Sequence, residues 1–344
     1  MSATTSVLPP TAANSCQYHT AAPDLRCLGC RIAMGAPADS YFNSRGQGRY
    51  YSDDLPPPPL SLATSSVGES DEESYLLRMR FALQEMDQQV EFVRGRRFLD
   101  LGCCPGGFST YVLSKLPLAH GQGVSLPVEQ GGHSLAIPLE LRSRFQVHWG
   151  DITRFNHALE HAGSGHLSGR QNFPIPAESF DLVLADGHIP PELTRAMEAQ
   201  RFARELLLIS QLLAAVRAVK LGGTILIKLS LSFVGKTLDG LMHRIVLALD
   251  NLSGTTLVAL KPKSIYGSRG SFYVLVRDIQ AVPRRVLELA LESMWVQLVE
   301  GQKINRKALN RLSSAQETKR REGWLRGFLE PMEEARRMAK LTAT

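Results

Sequence analysis

Residues 97–109 read RFLDLGCCPGGFS and decide the fold class of this chain. A short apolar strand runs into Asp100, a bend rich in glycine and proline follows, and a helix is predicted to begin near Phe108. Such a bend brings backbone N–H groups close to a ligand at the N-terminus of the helix. Side chains would block that approach at three positions, Gly102, Gly106 and Gly107. The alternative is an ordinary glycine turn between a strand and a helix.

Strands and helices alternate beyond this stretch, which predicts an α/β fold with a mostly parallel sheet and helices on both faces. The predicted strands span residues 98–101, 123–126, 145–149, 180–185, 224–227, 256–260 and 272–276. The predicted helices span residues 75–92, 108–116, 139–144, 192–220 (ended by Gly222-Gly223) and 236–250, and a last one starts at Pro283. The last two strands follow each other without a helix, so we expect one antiparallel strand near the C-terminal end.

The composition fits a globular protein in a reducing compartment, cytoplasmic or nuclear. The chain has 344 residues, 44% of them hydrophobic, and a net charge of +6, which is weak evidence for a nucleic-acid partner. No apolar run reaches about 18 residues, so we expect no membrane span. There are five cysteines, two of them inside the 97–109 stretch. This odd number argues against a disulfide framework.

Composition also divides the chain into three predicted regions. Residues 1–73 are rich in Ser, Pro and acidic side chains and are expected to be mostly disordered. Residues 74–280 carry the alternating strands and helices, with a surface loop at 156–177. Residues 281–344 are expected to form a basic helical extension. Between positions 303 and 340 this extension has eleven basic and five acidic residues, which indicates either a solvated helix face or contact with phosphate groups.

One group of possible metal ligands interrupts the N-terminal region. Its members are Cys16, His19, Cys27 and Cys30. Two close pairs of nitrogen and sulfur ligands could hold a tetrahedral structural zinc. The alternative is a set of unconnected side chains in a disordered tail.

The 100–109 stretch follows the pattern D-x-G-x-x-P-G-G-F-S and resembles the cofactor loop of S-adenosylmethionine (SAM) methyltransferases. Pro105 beside a glycine pair makes it most similar to the FtsJ-like RNA 2′-O-methyltransferases, and the resemblance covers roughly residues 75–276. It implies a Rossmann-like methyltransferase sheet, SAM as cofactor and RNA as partner and substrate, as in rRNA processing. DNA is not an expected partner.

The resemblance assigns SAM contacts to residues of the loop and of the strand ends. The loop residues are Asp100, Gly102, Cys104, Pro105, Gly106, Gly107 and Phe108. Asp100 is expected near the ammonium group of SAM. Ser125 stands where related enzymes have an acidic residue that binds the ribose, with Glu129 the nearest carboxylate. Asp151 stands where they bind the adenine amine, although it could instead cap a turn.

Two residues match the inner members of the Lys-Asp-Lys-Glu catalytic tetrad of the FtsJ-like enzymes. Asp186 and Lys228 each lie at the end of an apolar strand. Ligands in open α/β sheets bind beyond the carboxyl ends of the strands, so we expect both beside Asp100, with Asp186 also near the cofactor. A ribose 2′-hydroxyl is a poor nucleophile, and a partly desolvated lysine can act as the base that removes its proton. Lys228 could alternatively extend its ammonium group into water.

The outer two members of the tetrad are missing. Spacing aligns Ala82 with the first lysine, with Arg78 and Arg80 within one turn, and Ser271 stands near the place of the glutamate. The leading hypothesis is methyl transfer to an RNA ribose. The alternatives are a catalytically degenerate scaffold that binds SAM or RNA, and a methyltransferase for a small molecule or a protein.

Overall fold

Seven strands form one sheet in the computed structural model, which describes residues 68–158, 169–189, 202–231, 240–266 and 269–341. The strands are β1 Arg97–Leu101, β2 His120–Ser125, β3 Phe145–Trp149, β4 Phe180–Ala185, β5 Val219–Ser230, β6 Val258–Leu260 and β7 Ser271–Arg277. They lie side by side in the order β3-β2-β1-β4-β5-β7-β6. Neighbours from β3 to β5 pair in parallel, whereas β7 is antiparallel to both β5 and β6. This confirms the predicted sheet.

Helices cover both faces of the sheet, as predicted. The described helices are α1 Gly68–Val90, α2 Gly107–Lys115, α3 Leu139–Arg142, α4 Ala203–Ala218, α5 Leu241–Leu252, α6 Lys263–Tyr266, α7 Ala281–Val299, α8 Arg306–Leu312, α9 Ala315–Arg320 and α10 Glu322–Leu341. Successive strand residues alternate between two hydrophobic clusters: Phe98 packs with α1 and α2, and Leu99 packs with α4, α5 and α7. The central strands β4 and β7 are buried along most of their length, which agrees with their largely apolar sequences.

The end of the long helix before β5 differs from the prediction. Helix α4 ends at Ala218, and β5 starts at the extended Val219, so the strand passes through Gly222-Gly223. The pairing of β4 with β5 is irregular just before Thr224, and Gly222 has φ 73°. The glycine pair therefore allows an irregularity in the strand instead of ending the helix. The predicted start of this helix, at residues 192–201, lies outside the described residues.

The helices after residue 280 share the core of the sheet. Leu287 and Trp295 of α7 and Leu325 and Leu329 of α10 belong to the cluster that covers one sheet face. The Arg244 guanidinium of α5 donates to the α8 side chain Asn310 at 2.9 Å. The apolar contacts of Leu325 and Leu329 hold α10 against the sheet. The division of the chain into three regions stays a prediction. Within the described ranges, no helix has the length and apolar character needed to cross a membrane.

Candidate active site

Five of the predicted site residues lie along one edge of the sheet. Asp100 and Lys228 are near the ends of β1 and β5, Ser125 ends β2, and Asp186 and Asp151 follow β4 and β3. Because these five strands are parallel, all five residues lie at the carboxyl edge, in the order Asp151, Ser125, Asp100, Asp186 and Lys228. The strand order changes direction between β1 and β4, so Asp100 and Asp186 flank the crevice where α/β sheets bind ligands.

The turn after β1 requires glycine for a close approach to β4. Gly102 has φ 83° and donates its N–H to the carbonyl of Val124 at 2.8 Å. A Cβ atom at position 102 would lie 2.5 Å from the Cα atom of Gly187. The bend is therefore held against both neighbouring strands, and a larger residue at position 102 would displace the segment that carries Asp186.

Gly106 and Gly107, at the start of α2, also allow neighbouring segments of the protein to pack closely. Gly106 has φ 117°, and a Cβ atom there would lie 2.5 Å from the Ile137 side chain. A Cβ atom on Gly107 would lie 2.4 Å from the carbonyl oxygen of Leu76 and 2.6 Å from Met79. The sequence analysis explained both glycines by the approach of a ligand. The structure shows that Gly107 in particular lets α2 pack directly on α1.

The remaining loop residues are mostly buried. The Phe108 ring packs against Tyr273 with a centroid distance of 6.0 Å, so this side chain belongs to the core and only its backbone could face a ligand. The Cys104 thiol lies 4.0 Å from that of Cys103, and this contact together with burial raises the pKa of Cys103. The carbonyl of Pro105 accepts a hydrogen bond from the N–H of Ala136 at 2.9 Å. The loop is thus tied to the segment before α3.

Asp100 is a buried carboxyl group with a raised pKa. It is 1% exposed and accepts a hydrogen bond of 2.6 Å from the Ser109 hydroxyl. Burial raises the pKa of Asp100 to about 7; the Ser109 hydrogen bond opposes this rise and the charge of Asp186 adds to it. A cation placed beside this group would favour its ionised form. The site is therefore suited to the ammonium group of a ligand.

Ser125 and Asp151 lie on the other side of the crevice from Lys228. Ser125 is 8% exposed, and its carbonyl accepts from the N–H of Gly150 at 2.9 Å. One oxygen of Asp151 accepts from the N–H and the hydroxyl of Thr153 at 2.9 and 2.7 Å. The other oxygen lies 3.5 Å from the Arg154 guanidinium. Asp151 therefore does cap a turn, and a contact of its second oxygen with adenine stays a prediction.

Asp186 and Lys228 form a direct ion pair. The Lys228 ammonium lies 3.1 Å from Oδ1 of Asp186 and donates to the Asp186 carbonyl at 2.9 Å. The Lys228 side chain is 12% exposed and that of Asp186 is 6% exposed, so both are shielded from bulk water. The alternative in which Lys228 extends into water does not hold, because its ammonium is held at the end of β4.

The sequence analysis missed a third member of this network, Tyr273. Its hydroxyl donates to Oδ1 of Asp186 at 2.6 Å, and its side chain is fully buried. Tyr273 is the pairing partner of Lys228 in the antiparallel ladder of β5 and β7. Only this register, which sequence patterning does not specify, brings the two side chains to the same carboxylate.

The two residues that spacing alone aligns with the outer tetrad members are uncharged, and that alignment stays a prediction. Ala82 is fully buried in α1, and Ser271 is buried at the start of β7. Burial lowers the pKa of Arg80, whose charge interacts with Tyr111 of α2. Arg78 instead lies over the ring of Tyr75 at 5.9 Å, and that ring contacts His188, two residues after Asp186. Arg78 therefore contacts, through Tyr75, the segment that follows Asp186.

The predicted zinc ligands cannot be compared with the structure. Cys16, His19, Cys27 and Cys30 lie outside the described residues. Among the residues that are described, no group of three or more His, Cys, Asp or Glu side chains could hold a metal ion. The zinc site stays a prediction.

Several known methyltransferases are similar to this chain. A ribosomal RNA large subunit methyltransferase E from Parvibaculum lavamentivorans is 25% identical, covering 60% of this chain and 74% of its own length. Its namesake from Brachyspira hyodysenteriae is 29% identical, covering 49% and 73%. A Dictyostelium discoideum protein described as a tRNA (cytidine(32)/guanosine(34)-2′-O)-methyltransferase is 24% identical, covering 61% and 69%. A solved ribosomal RNA methyltransferase structure from Plasmodium falciparum is 18% identical with a TM-score of 0.40, covering 59% and 97%. The sequence model of the FtsJ-like methyltransferase family matches residues 75–252, which is more than half of the chain. The chain therefore belongs to the FtsJ-like methyltransferase family.

Proposed function

We propose that this protein transfers a methyl group from SAM to the 2′-hydroxyl of an RNA ribose. The observation that supports this most is the network of Lys228, Asp186 and Tyr273 beside the crevice flanked by Asp100. The named relatives act on ribosomal RNA or on tRNA, so RNA is the substrate class that similarity favours. These relatives do not agree on one RNA, and the choice between rRNA and tRNA is left to experiment.

The residues at the carboxyl edge fit SAM as the methyl donor. Asp100 would hold the ammonium group, since its buried carboxyl group lies at the crevice between β1 and β4. Ser125 and the second oxygen of Asp151, which faces Arg154, would contact the ribose and adenine, because they follow Asp100 along the edge. Neighbouring strands are about 4.8 Å apart, so β1 and β3 are separated by about 10 Å, which suits an extended nucleoside. When bound, SAM supplies an electrophilic methyl group on a sulfonium sulfur.

Lys228 would take the proton from the ribose hydroxyl. A neutral amine has two N–H bonds and one lone pair, so Lys228 can keep both contacts to Asp186 while it accepts a proton. Asp186 would orient the amine and stabilise the ammonium that forms. Tyr273 would act as a positioning residue, because its hydroxyl fixes the carboxylate oxygen that Lys228 contacts. The proton and the positive charge thus end on Lys228, and no covalent enzyme intermediate is needed.

A catalytically degenerate scaffold is the second candidate. It is favoured by one observation: Ala82 is fully buried and Ser271 is a small neutral side chain, so two of the four tetrad positions have lost their charge. The ion pair of Asp186 and Lys228 argues for the enzyme, since a protein that only binds has no need for a shielded lysine at this edge.

Incubation with methyl-labelled SAM and total RNA distinguishes the candidates. The protein should transfer label to RNA, and digestion to nucleosides should recover the label on a ribose. A DNA strand of the same sequence as a methylated RNA should accept no label, because it lacks the 2′-hydroxyl. SAM binding without transfer to any RNA would favour the scaffold, and label on a base would contradict the proposed role of Lys228.

A further inference from the structure

An open groove runs along the amino edge of the sheet, opposite the carboxyl edge that carries the candidate active site. Its larger part has a volume of about 690 Å³, and the titratable residues that line it are Arg96, Arg97, His120, Asp181 and Lys220. A smaller part of about 230 Å³ shares Arg97 and His120 with the larger one and continues to the start of β3. The groove, named here the amino-edge groove, therefore crosses the starts of all five parallel strands. Neighbouring strands are about 4.8 Å apart, so this groove is about 19 Å long.

The only carboxylate among the described residues that line this groove is already engaged by the wall of the groove itself. Oδ2 of Asp181 accepts from the N–H groups of Arg96 and Arg97 at 2.8 and 2.9 Å. Oδ1 of Asp181 accepts from the Lys220 ammonium at 3.0 Å. Asp181 and Lys220 therefore neutralise each other, and the backbone N–H groups occupy the second oxygen. The side-chain charges of Arg96 and Arg97 are left uncompensated.

Three arginines line the amino-edge groove without an acidic partner in the described part of the chain. Arg96 and Arg97 are both exposed, and the Arg97 guanidinium lies over the ring of Phe180 at 5.2 Å, across the start of β4. His120 is exposed beside Arg97, because these two residues pair in the parallel ladder of β1 and β2. Arg144 lines the smaller part and donates to three backbone carbonyls, so its positive charge also remains.

The lining of this groove suits the sugar-phosphate backbone of a nucleic acid. Besides Arg144, the smaller part is lined by the polar side chains of Gln122, Ser143 and Gln146. Proteins contact phosphate and sugar through arginines, hydroxyls and side-chain amides of this kind. A groove with one sign of charge raises the local concentration of oppositely charged ligands. An RNA strand carries a negative charge at every nucleotide, so it can contact several arginines spread along the groove at once.

We propose that the amino-edge groove binds backbone phosphates of the RNA substrate, at a distance from the nucleotide that is methylated. This deepens the proposed function and rests on RNA being the substrate. Arg97 precedes Asp100 by three residues on β1, so about 10 Å of strand separate the groove from the cofactor crevice, and the two open at opposite edges of the sheet. Phosphate contacts set the position of a nucleic acid on a protein. The groove would therefore hold the RNA without taking part in methyl transfer.

The test removes two positive charges from the groove and, in a control, two from another surface. The groove variant carries Arg96→Gln and Arg97→Gln, which keep much of the side-chain length. The matched control carries Arg326→Gln and Arg337→Gln, because these exposed guanidinium groups already pair with glutamates of α10. The probe is a fluorescently labelled single-stranded RNA of about 30 nucleotides, which is longer than the stretch that one such groove covers. Fluorescence anisotropy measures its Kd over a range of salt concentrations.

The groove variant should raise the Kd for this RNA about ten- to thirtyfold at about 0.1 M salt. It should also reduce the slope of log Kd against log salt by about 1.4, which is about 0.7 for each lost phosphate contact on a single strand. The control should change the Kd less than about twofold. Replacing Arg96 and Arg97 by lysine should retain most of the affinity, because the charges remain. The melting temperature and the Kd for SAM should be unchanged, since both side chains are exposed at the edge opposite the crevice.

Equal RNA binding by the wild type and the groove variant would overturn the groove as an RNA site, even if the wild type methylates RNA. An equal loss of binding in the control would also overturn it, because net charge alone would then explain the effect. Tighter binding of polyglutamate than of RNA, lost in the groove variant, would assign the groove to an acidic protein segment instead. A wild type that binds RNA through the groove but methylates none would overturn the proposed function and leave the groove standing. A wild type that binds no RNA would overturn both.

Discussion

The carboxyl group of Asp100 should make cofactor binding depend on pH near neutrality. Burial raises its pKa from 3.8 to about 7 in the ligand-free protein. One pKa unit corresponds to about 1.4 kcal/mol, so the ionised form is disfavoured by about 4 kcal/mol relative to an exposed aspartate. The ammonium group of SAM would favour the ionised form. SAM should therefore bind more tightly as Asp100 loses its proton.

The size of this effect follows from the ionised fraction. With a pKa of about 7, Asp100 is about 3% ionised at pH 5.5 and half ionised at pH 7.0, so the affinity for SAM should rise about fifteenfold. In Asp100→Asn the amide does not titrate but can still accept from Ser109, so the affinity should be weaker and nearly independent of pH. Titration calorimetry in two buffers of different ionisation enthalpy measures both the affinity and the proton released. The same pH dependence in both proteins would refute this role of Asp100.

The ligand-free protein should show the opposite trend in stability. The folded-state pKa of Asp100, about 7, lies above the ordinary 3.8, so the folded state binds more protons than the unfolded state between about pH 4 and pH 7. The free energy of unfolding should therefore fall as pH rises through this interval. Urea unfolding at pH 5 and pH 8 should show a larger loss for the wild type than for Asp100→Asn, by about 3 kcal/mol, because about two pKa units of the shift lie between pH 5 and the folded-state pKa. Equal losses would show that burial does not raise this pKa.

Three further predictions concern other parts of the chain. Tyr273→Phe removes the hydroxyl that positions Asp186 and should lower kcat about tenfold in a methylation assay, with an unchanged Kd for SAM; an unchanged kcat would exclude the positioning role. Gly107→Ala should destabilise the fold by about 2 kcal/mol in urea unfolding, because its methyl group would meet the backbone of Leu76, whereas Gly327→Ala, which meets nothing within 4 Å, should not destabilise. The full chain should contain about one zinc by elemental analysis and lose it in Cys27→Ser; a zinc-free wild type would reject the metal site.

Much of the fold follows from local patterns in the sequence. The bounds of β3 and β4 agree with the predicted ones, because β3 alternates apolar and polar residues before Gly150 and β4 is a mostly apolar run that ends before Asp186. The position of Asp186 beside Lys228 could also be predicted, because the carboxyl ends of parallel strands lie at one edge of the sheet. The predicted end of α4 at residue 220 was wrong, because a glycine pair such as Gly222-Gly223 is an ordinary signal for the end of a helix. In the structure, the backbone is already extended at Val219, and Gly222 lies within β5.

The parts of the site that the sequence did not predict depend on contacts distant in the chain. Tyr273 meets Asp186 only through the register of β7 against β5. The reason for glycine at position 107 is the carbonyl of Leu76 in α1, which lies 31 residues earlier in the chain. No local pattern indicates these distances, so they emerge only when the elements are assembled.

The role of Lys228 as the base that removes the proton from an RNA 2′-hydroxyl can be tested by one paired measurement. Wild type and Lys228→Met should be compared for ribose methylation at saturating SAM, with the Kd for SAM measured on both. Methionine retains much of the side-chain volume but cannot accept the proton. If Lys228 is the base, turnover should fall about a hundredfold or more while the Kd for SAM stays within twofold. A Lys228→Met enzyme that methylates ribose at the wild-type rate would contradict it.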